Sequence, residues 1–346
     1  MSFKYIKEVM SPEELKDMIP MSEEGKKIKA IRDAEIKNIF EGHDNRFIMI
    51  VGPCSADNED SVLEYLTKLR AVSEKVQDKI YIIPRIYTNK PRTTGIGYKG
   101  IVHQPDPTKD PDLREGLIAM RHMHIRAINE TGFTSADEML YPENFMYVDD
   151  MLSYVAVGAR SVENQQHRLT ASGMDVPAGM KNPTSGTLSV MINSIIAAQS
   201  PQTFMYRQEE VATSGNKLAH AILRGSTNKH DQYIPNYHYE DLELTIELYK
   251  QHPNLVNPAI IVDANHANSA KKYYEQPRIV KEIIHSCKVN PEIGKAVKGV
   301  MVESYLVAGA QKIDTANHVY GQSITDPCLG FLETEKLIME MADALA

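Results

Sequence analysis

The chain has 346 residues, 42% of them hydrophobic and 24% charged, so it has the apolar material for one large domain or two ordinary ones and is not a disordered chain. A net charge of −8 and a pI of about 5.9 argue against nucleic acid or an anionic membrane as the main partner. Three cysteines without paired spacing, no long apolar run and no apolar signal core at the start predict a cytoplasmic protein without a disulfide framework.

Residues 1–45 read as an extension. Ser11-Pro12-Glu13-Glu14 opens a helix with a capping residue, a proline in the first turn and two acids that suit the positive end of the helix dipole. Ser22-Glu23-Glu24 opens a second, whose Ile28, Ile31, Ile36 and Ile39 form an apolar stripe that ends near Gly42. From residue 46 onward, short apolar runs alternate with helix-like segments. The runs are 47–51, 80–84, 132–136, 155–159, 176–180, 219–223, 259–262 and 297–302. Eight strand–helix units predict an α/β fold, a (β/α)8 TIM barrel, over residues 46–346. Residues 203–206 and 211–213 fall outside this pattern and predict a β-hairpin inserted at about 202–216, between the fifth and sixth units.

A barrel places its active site just past the C-terminal ends of its strands. Those positions carry Cys54, Arg85, Asp137 and Glu138, Arg160, Glu163 and His167-Arg168, Lys181, Arg224, Asp263 and His266, and Glu303, with Asp326 further on. Two groups separate by chemistry. Cys54, His266, Glu303 and Asp326 offer sulfur, nitrogen and oxygen, a set suited to one divalent transition ion such as Mn, Fe, Co or Zn and poorly suited to Mg or Ca. Each alone reads as a buried thiol, a structural imidazole or a surface acid; their shared face is what suggests a metal. Arg85, Lys90, Arg92, Lys99, Arg168, Lys181 and Arg224 form a cationic set able to bind more than one phosphate or carboxylate. Arg160 is assigned instead to an ion pair with an acid such as Glu163. A thiol among so many cations is expected to lean toward thiolate.

These residues fall in motifs that resemble the type I 3-deoxy-D-arabino-heptulosonate 7-phosphate (DAHP) synthases of the shikimate pathway. The matching stretches are Gly52-Pro53-Cys54-Ser55, Lys90-Pro91-Arg92-Thr93-Thr94, Gly158-Ala159-Arg160, His167-Arg168, Gly179-Met180-Lys181-Asn182, Leu223-Arg224-Gly225, His266-Ala267-Asn268, Gly299 to Ser304 and Gly321 to Asp326. The resemblance implies a metal-dependent condensation of phosphoenolpyruvate with erythrose 4-phosphate. The metal would polarise the aldehyde, the enol carbon would attack it, water would add and phosphate would leave. It implies metal ligands Cys54, His266, Glu303 and Asp326. The implied substrate-binding set is Arg85, Lys90, Pro91, Arg92, Thr93, Glu138, Arg168, Lys181, Arg224 and His266, with Lys90, His266 and Cys54 catalytic. It also implies a homodimer or homotetramer.

The chain departs from the family pattern at Asp57-Asn58, at Gly97-Tyr98-Lys99-Gly100 where tryptophan is usual, and at Asn164 where serine is usual. Two other readings remain open at this point. One is a related synthase that uses another aldose phosphate, although such enzymes carry a different sugar loop from Lys90-Pro91-Arg92-Thr93. The other is an inactive barrel that acts as a binding partner. The short hairpin region, the segment Leu140-Tyr141-Pro142-Glu143-Asn144 and the basic start of the chain predict weak or absent inhibition by aromatic amino acids.

Overall fold

A computed structural model describes residues 2–92, 95–313 and 317–345. The strands are β1 (Phe47–Gly52), β2 (Ile80–Pro84), β3 (Ser135–Glu138), β4 (Leu152–Val157), β5 (Ala178–Lys181), β6 (Gln202–Tyr206), β7 (Glu209–Thr213), β8 (His220–Leu223), β9 (Ser226–Thr227), β10 (Tyr233–Ile234), β11 (Ile260–Asp263), β12 (Val297–Glu303), β13 (Val307–Ala310) and β14 (Gln322–Ser323). The helices are α1 (Pro12–Met18), α2 (Glu23–Glu41), α3 (Glu59–Val76), α4 (Leu113–Thr131), α5 (Pro142–Phe145), α6 (Gln165–Ser172), α7 (Leu188–Gln199), α8 (Tyr239–Lys250), α9 (Gln276–Val289), α10 (Pro291–Ala296) and α11 (Phe331–Ala344).

Eight parallel strands pair in the order β2-β1-β12-β11-β8-β5-β4-β3. The two ends of that sheet meet where Ile86 N–H donates to the Ala136 carbonyl at 2.9 Å, beside a bridge between Arg85 and Ala136. This is the (β/α)8 barrel that the alternating runs predict. Seven of the eight barrel strands are buried along their whole length, because helices cover one face and barrel packing the other; β12 is buried except at Lys298. That two-sided burial explains why the strands read as continuous apolar runs rather than alternating ones. β6 and β7 pair as an antiparallel hairpin between α7 and β8.

Ser11 and Glu14 form a reciprocal capping box on α1, and Ser22 caps α2. Of the predicted α2 stripe, Ile31 is 62% exposed and Ile28 is partly buried against the outer core, while the C-terminal half turns inward. Ile36, Ile39 and Phe40 pack into the barrel interior with Ile48, Tyr81, Tyr154, Ile222, Ile261 and Met301. The Phe40 ring lies 4.5 Å from the His220 ring, so α2 plugs the barrel floor opposite the strand ends that carry the charged residues. No helix of the described residues is long and apolar enough to cross a membrane.

Candidate active site

The strand ends bring the sulfur and oxygen donors together. Cys54, Glu303 and Asp326 place ligand atoms within 4.8 Å of one another. Cys54 lies two residues past β1. Gly52 before it has no room for a side chain, since a Cβ there would sit 2.3 Å from the Arg85 carbonyl oxygen. Glu303 closes β12 and is fully buried; it accepts from Arg85 Nη2 at 2.7 Å and from Asn265 Nδ2 at 2.5 Å. Asp326 reaches the cluster because its loop folds back, with Leu329 N–H donating to the Glu303 carbonyl at 2.9 Å.

His266 stands beside these three. It adopts a left-handed backbone, φ 51°, which is costly for a residue with a Cβ and is held here by its surroundings. Its Nδ1 lies 2.8 Å from Asp263 Oδ2, which leaves Nε2 toward the cluster, 3.9 Å from Glu303 Oε1. A carboxylate behind the imidazole is the usual way to orient a ligating histidine. The Lys90 ammonium sits 2.7 Å from Cys54 Sγ and 2.9 Å from Asp326 Oδ2. One sulfur and two carboxylates that converge, with an imidazole beside them, are a donor set that fits a divalent transition ion.

Electrostatics follow from burial and these contacts. Burial alone would raise the Asp326 carboxyl, but the Lys90 ammonium outweighs it and holds the group well below the usual carboxylate range. Burial and then the Glu303 carboxylate push the Cys54 thiol up to about 11. The thiolate expected from nearby cations is therefore not favoured by the protein alone: desolvation and the two acids outweigh Lys90 and Arg85.

Above this cluster lies a cavity of about 340 Å³ whose walls include Arg85, Lys90, Pro91, Arg92, Glu138, Arg160, Lys181, Arg224 and Lys271. The Arg85 guanidinium stacks 3.6 Å over the Tyr87 ring. Lys181 Nζ is 3.1 Å from Glu138 Oε2. The Lys90-Pro91-Arg92 loop is held from below, since Asp137 accepts from the Thr88 N–H at 3.0 Å and from Thr88 Oγ1 at 2.5 Å. Gly100 (φ 96°) closes the loop where a Cβ would lie 2.3 Å from the Thr88 carbonyl oxygen. Because β2 and β8 lie four strands apart in an eight-stranded ring, this loop and Arg224 face each other across the mouth.

Two of the expected cations, Arg168 and Lys99, do not line the cavity. Arg168 is not on the cavity wall; it sits inside α6, and its Nε donates to the Val162 carbonyl at 2.8 Å. Arg160, three residues past β4, takes the wall position, and no ion pair to Glu163 occurs among the described residues. Distance from the strand end was the available signal, and it favours Arg160. Lys99 also lies off the wall, and Thr93 falls outside the described residues. Lys271, Thr184, Thr227, Asp231 and Tyr233 also line the cavity. No run or motif marks them.

The chain is similar to known proteins over nearly its whole length. A family model described as the DAHP synthetase I family matches residues 19–339. A phospho-2-dehydro-3-deoxyheptonate aldolase of Haemophilus influenzae is 35% identical over 346 residues, covering 98% of this chain and 92% of the relative. The Phe-sensitive enzyme of that name from Escherichia coli K12 is 35% identical over 350 residues, covering 99% and 96%. A solved structure of the Francisella tularensis SCHU S4 aldolase superimposes with a TM-score of 0.92 at 34% identity, covering 99% of this chain and 98% of that one. The chain therefore belongs to the DAHP synthetase I family and is an enzyme of the DAHP synthase type, which joins phosphoenolpyruvate to erythrose 4-phosphate in aromatic amino acid biosynthesis.

Proposed function

We propose that this site carries out the condensation with one divalent transition ion held by Cys54, His266, Glu303 and Asp326. The observation that carries the reading is the convergence of Cys54, Glu303 and Asp326 below a cavity with cations on opposite walls. The ion would supply Lewis-acid polarisation of the aldehyde oxygen. Arg160, Lys181 and Arg224 would hold phosphoenolpyruvate, with Arg85 on the floor beside Glu303. Lys90 and Arg92 would hold the phosphate of erythrose 4-phosphate, an assignment that extends to Pro91 and Thr93 of the same loop. Forked guanidinium groups suit phosphate and carboxylate oxygens, and the half-enclosed cavity strengthens each contact. Lys90 Nζ is the proton-carrying atom nearest the donors and is assigned a proton transfer, while His266, with Nδ1 on Asp263, would present the lone pair of Nε2 to the ion. The test is phosphate release from phosphoenolpyruvate with erythrose 4-phosphate and with arabinose 5-phosphate, on metal-stripped protein resupplied with Mn, Fe, Co or Zn. Release only with the four-carbon sugar and only with added metal supports the proposal; release without metal overturns the metal part.

The same proposal covers assembly and regulation. The exposed Phe3, Tyr5 and Ile6 support a homodimer or homotetramer, which light scattering checks. Weak or absent inhibition by aromatic amino acids is supported by the charge pairing around the hairpin. Its tip Arg207 pairs with Glu13 and reaches Asp149, which also pairs with Lys16, so those groups already satisfy each other. One observation favours the opposite reading: a cavity of about 500 Å³ between Phe204, Tyr206, Met174 and Asp175 has apolar walls and carboxylates that could hold an amino acid. Initial rates with each aromatic amino acid at subsaturating phosphoenolpyruvate decide between them.

A further inference from the structure

The barrel's sixth unit carries a feature that the reaction has not yet used. Immediately after Arg224 and Gly225 the chain forms a small antiparallel ribbon, β9 and β10, with Thr227 directly opposite Tyr233 and Ser226 opposite Ile234. Directly opposed residues project from the same face of a ribbon. Thr227 and Tyr233 both line the catalytic cavity, Tyr233 at its rim with 41% exposure, and Ile234 on the other face is 44% exposed. The ribbon therefore brings two hydroxyls, with Asp231 from the turn between its strands, to a cavity that also holds Arg160, Lys181 and Arg224.

The ribbon is anchored at its root. Thr227 N–H donates to the Thr184 carbonyl at 3.0 Å, and Gly225 N–H donates to Asn236 Oδ1 at 2.7 Å. Asn236 in turn donates to Asn182 Oδ1 at 3.1 Å and, through its backbone, to Asn268 Oδ1 at 2.8 Å. At the tip, Asn228 Oδ1 accepts the N–H groups of His230 and Gln232 at 2.9 and 3.1 Å. Neither the Thr227 hydroxyl nor the Tyr233 hydroxyl has a hydrogen-bond partner among the described residues. Two undirected hydroxyls on a fixed ribbon, three and nine residues past Arg224, are free to donate to an anion that Arg224 holds.

We propose that this ribbon completes the phosphoenolpyruvate subsite, with the Thr227 and Tyr233 hydroxyls donating to the phosphate held by Arg160, Lys181 and Arg224, and the Tyr233 ring shielding it from water. The assignment to phosphoenolpyruvate rather than to the sugar phosphate follows from topology. β8, which carries the ribbon, faces β2 and the Lys90-Pro91-Arg92 loop across the barrel mouth. The inference rests on the substrate assignment proposed above.

Thr227→Val and Tyr233→Phe remove the hydroxyls and keep the shape. Hydrogen bonds to charged groups are worth enough that each change should raise the phosphoenolpyruvate KM about tenfold. The erythrose 4-phosphate KM and the melting temperature should stay within twofold and a degree or two of wild type, about the scatter of surface substitutions. Tyr233→Ala should act more strongly than Tyr233→Phe, since it also removes the cover. An unchanged phosphoenolpyruvate KM in both conservative variants, or equal rises for both substrates, overturns the proposal. Wild-type protein that makes no product from the two substrates overturns the parent assignment instead.

Discussion

Lys181→Met separates two roles of one buried cation. Lys181 Nζ lies 3.1 Å from Glu138 Oε2 and 3.9 Å from Asp263 Oδ2, with side chains 4%, 9% and 0% exposed. Burial alone would push the Glu138 carboxyl up; the Lys181 ammonium outweighs that and holds it below its ordinary value. Methionine keeps the length and apolar volume of the side chain and removes the charge. Glu138 is then left buried without its cation, which costs about 3–5 kcal/mol. At about 2 °C per kcal/mol for a large domain, the melting temperature should fall by about 6–10 °C. The sign with pH is fixed. A carboxyl whose pKa is lowered by folding stabilises above its unfolded pKa and loses that contribution as pH falls, so the gap to wild type is full at neutral pH and narrows in acid. Adding Glu138→Gln removes the stranded charge and should restore more than half of the lost melting temperature. It should not restore phosphoenolpyruvate binding, expected to stay about tenfold or more weaker because a charged contact to the substrate is still missing. Thermal unfolding with and without phosphoenolpyruvate reads both effects. A double variant that melts as low as Lys181→Met, or one protected by phosphoenolpyruvate as well as wild type, would refute the reasoning.

Cys54→Ser should retain the fold and lose most metal affinity and activity, because a hydroxyl replaces a soft thiolate donor; metal content per chain and circular dichroism check it. Arg160→Ala should raise the phosphoenolpyruvate KM about tenfold, while Arg168→Ala leaves it near wild type; equal effects would return Arg168 to the site. His220 supplies a pH prediction away from the site. Its Nδ1–H donates to the Leu218 carbonyl and its Nε2 accepts from Tyr154, so the buried ring is neutral, and burial pushes its pKa down to about 4. Against an unfolded value near 6.5, its contribution is complete above about pH 6.5 and is lost toward pH 4, at most about 3 kcal/mol. His220→Gln should flatten the rise of urea midpoint with pH across that window, and an unchanged slope would contradict the assignment.

Much of the fold was legible because its signals are local. A strand buried on both faces must be apolar along its length, so 47–51 or 297–302 announces itself without knowledge of its neighbours. The same holds for helix starts, where Ser11 and Glu14 interact within one turn. The residue types at the strand ends were equally legible, since no core position wants a buried acid or arginine without a partner. Cys54, Glu303 and Asp326 could be grouped on that basis alone, and the fold does bring them together.

Tertiary structure decided what depends on direction and on distant partners. Arg160 and Arg168 are both arginines near one strand end, and only the phase of α6 turns Arg168 back to Val162 and leaves Arg160 on the wall. The α2 stripe predicts burial of Ile28, Ile31, Ile36 and Ile39 alike, but the barrel floor beneath His220 and Tyr154 receives only Ile36 and Ile39, with Phe40, and leaves Ile31 exposed. His266 is oriented by Asp263 across a left-handed turn, a conformation that residue type does not announce. The Thr227–Tyr233 ribbon is polar, short and without a periodic pattern, so nothing local distinguishes it from any surface loop. Its place over the cavity comes from the barrel alone, which sets β8 opposite β2 and so turns an unmarked stretch of chain into a wall of the site.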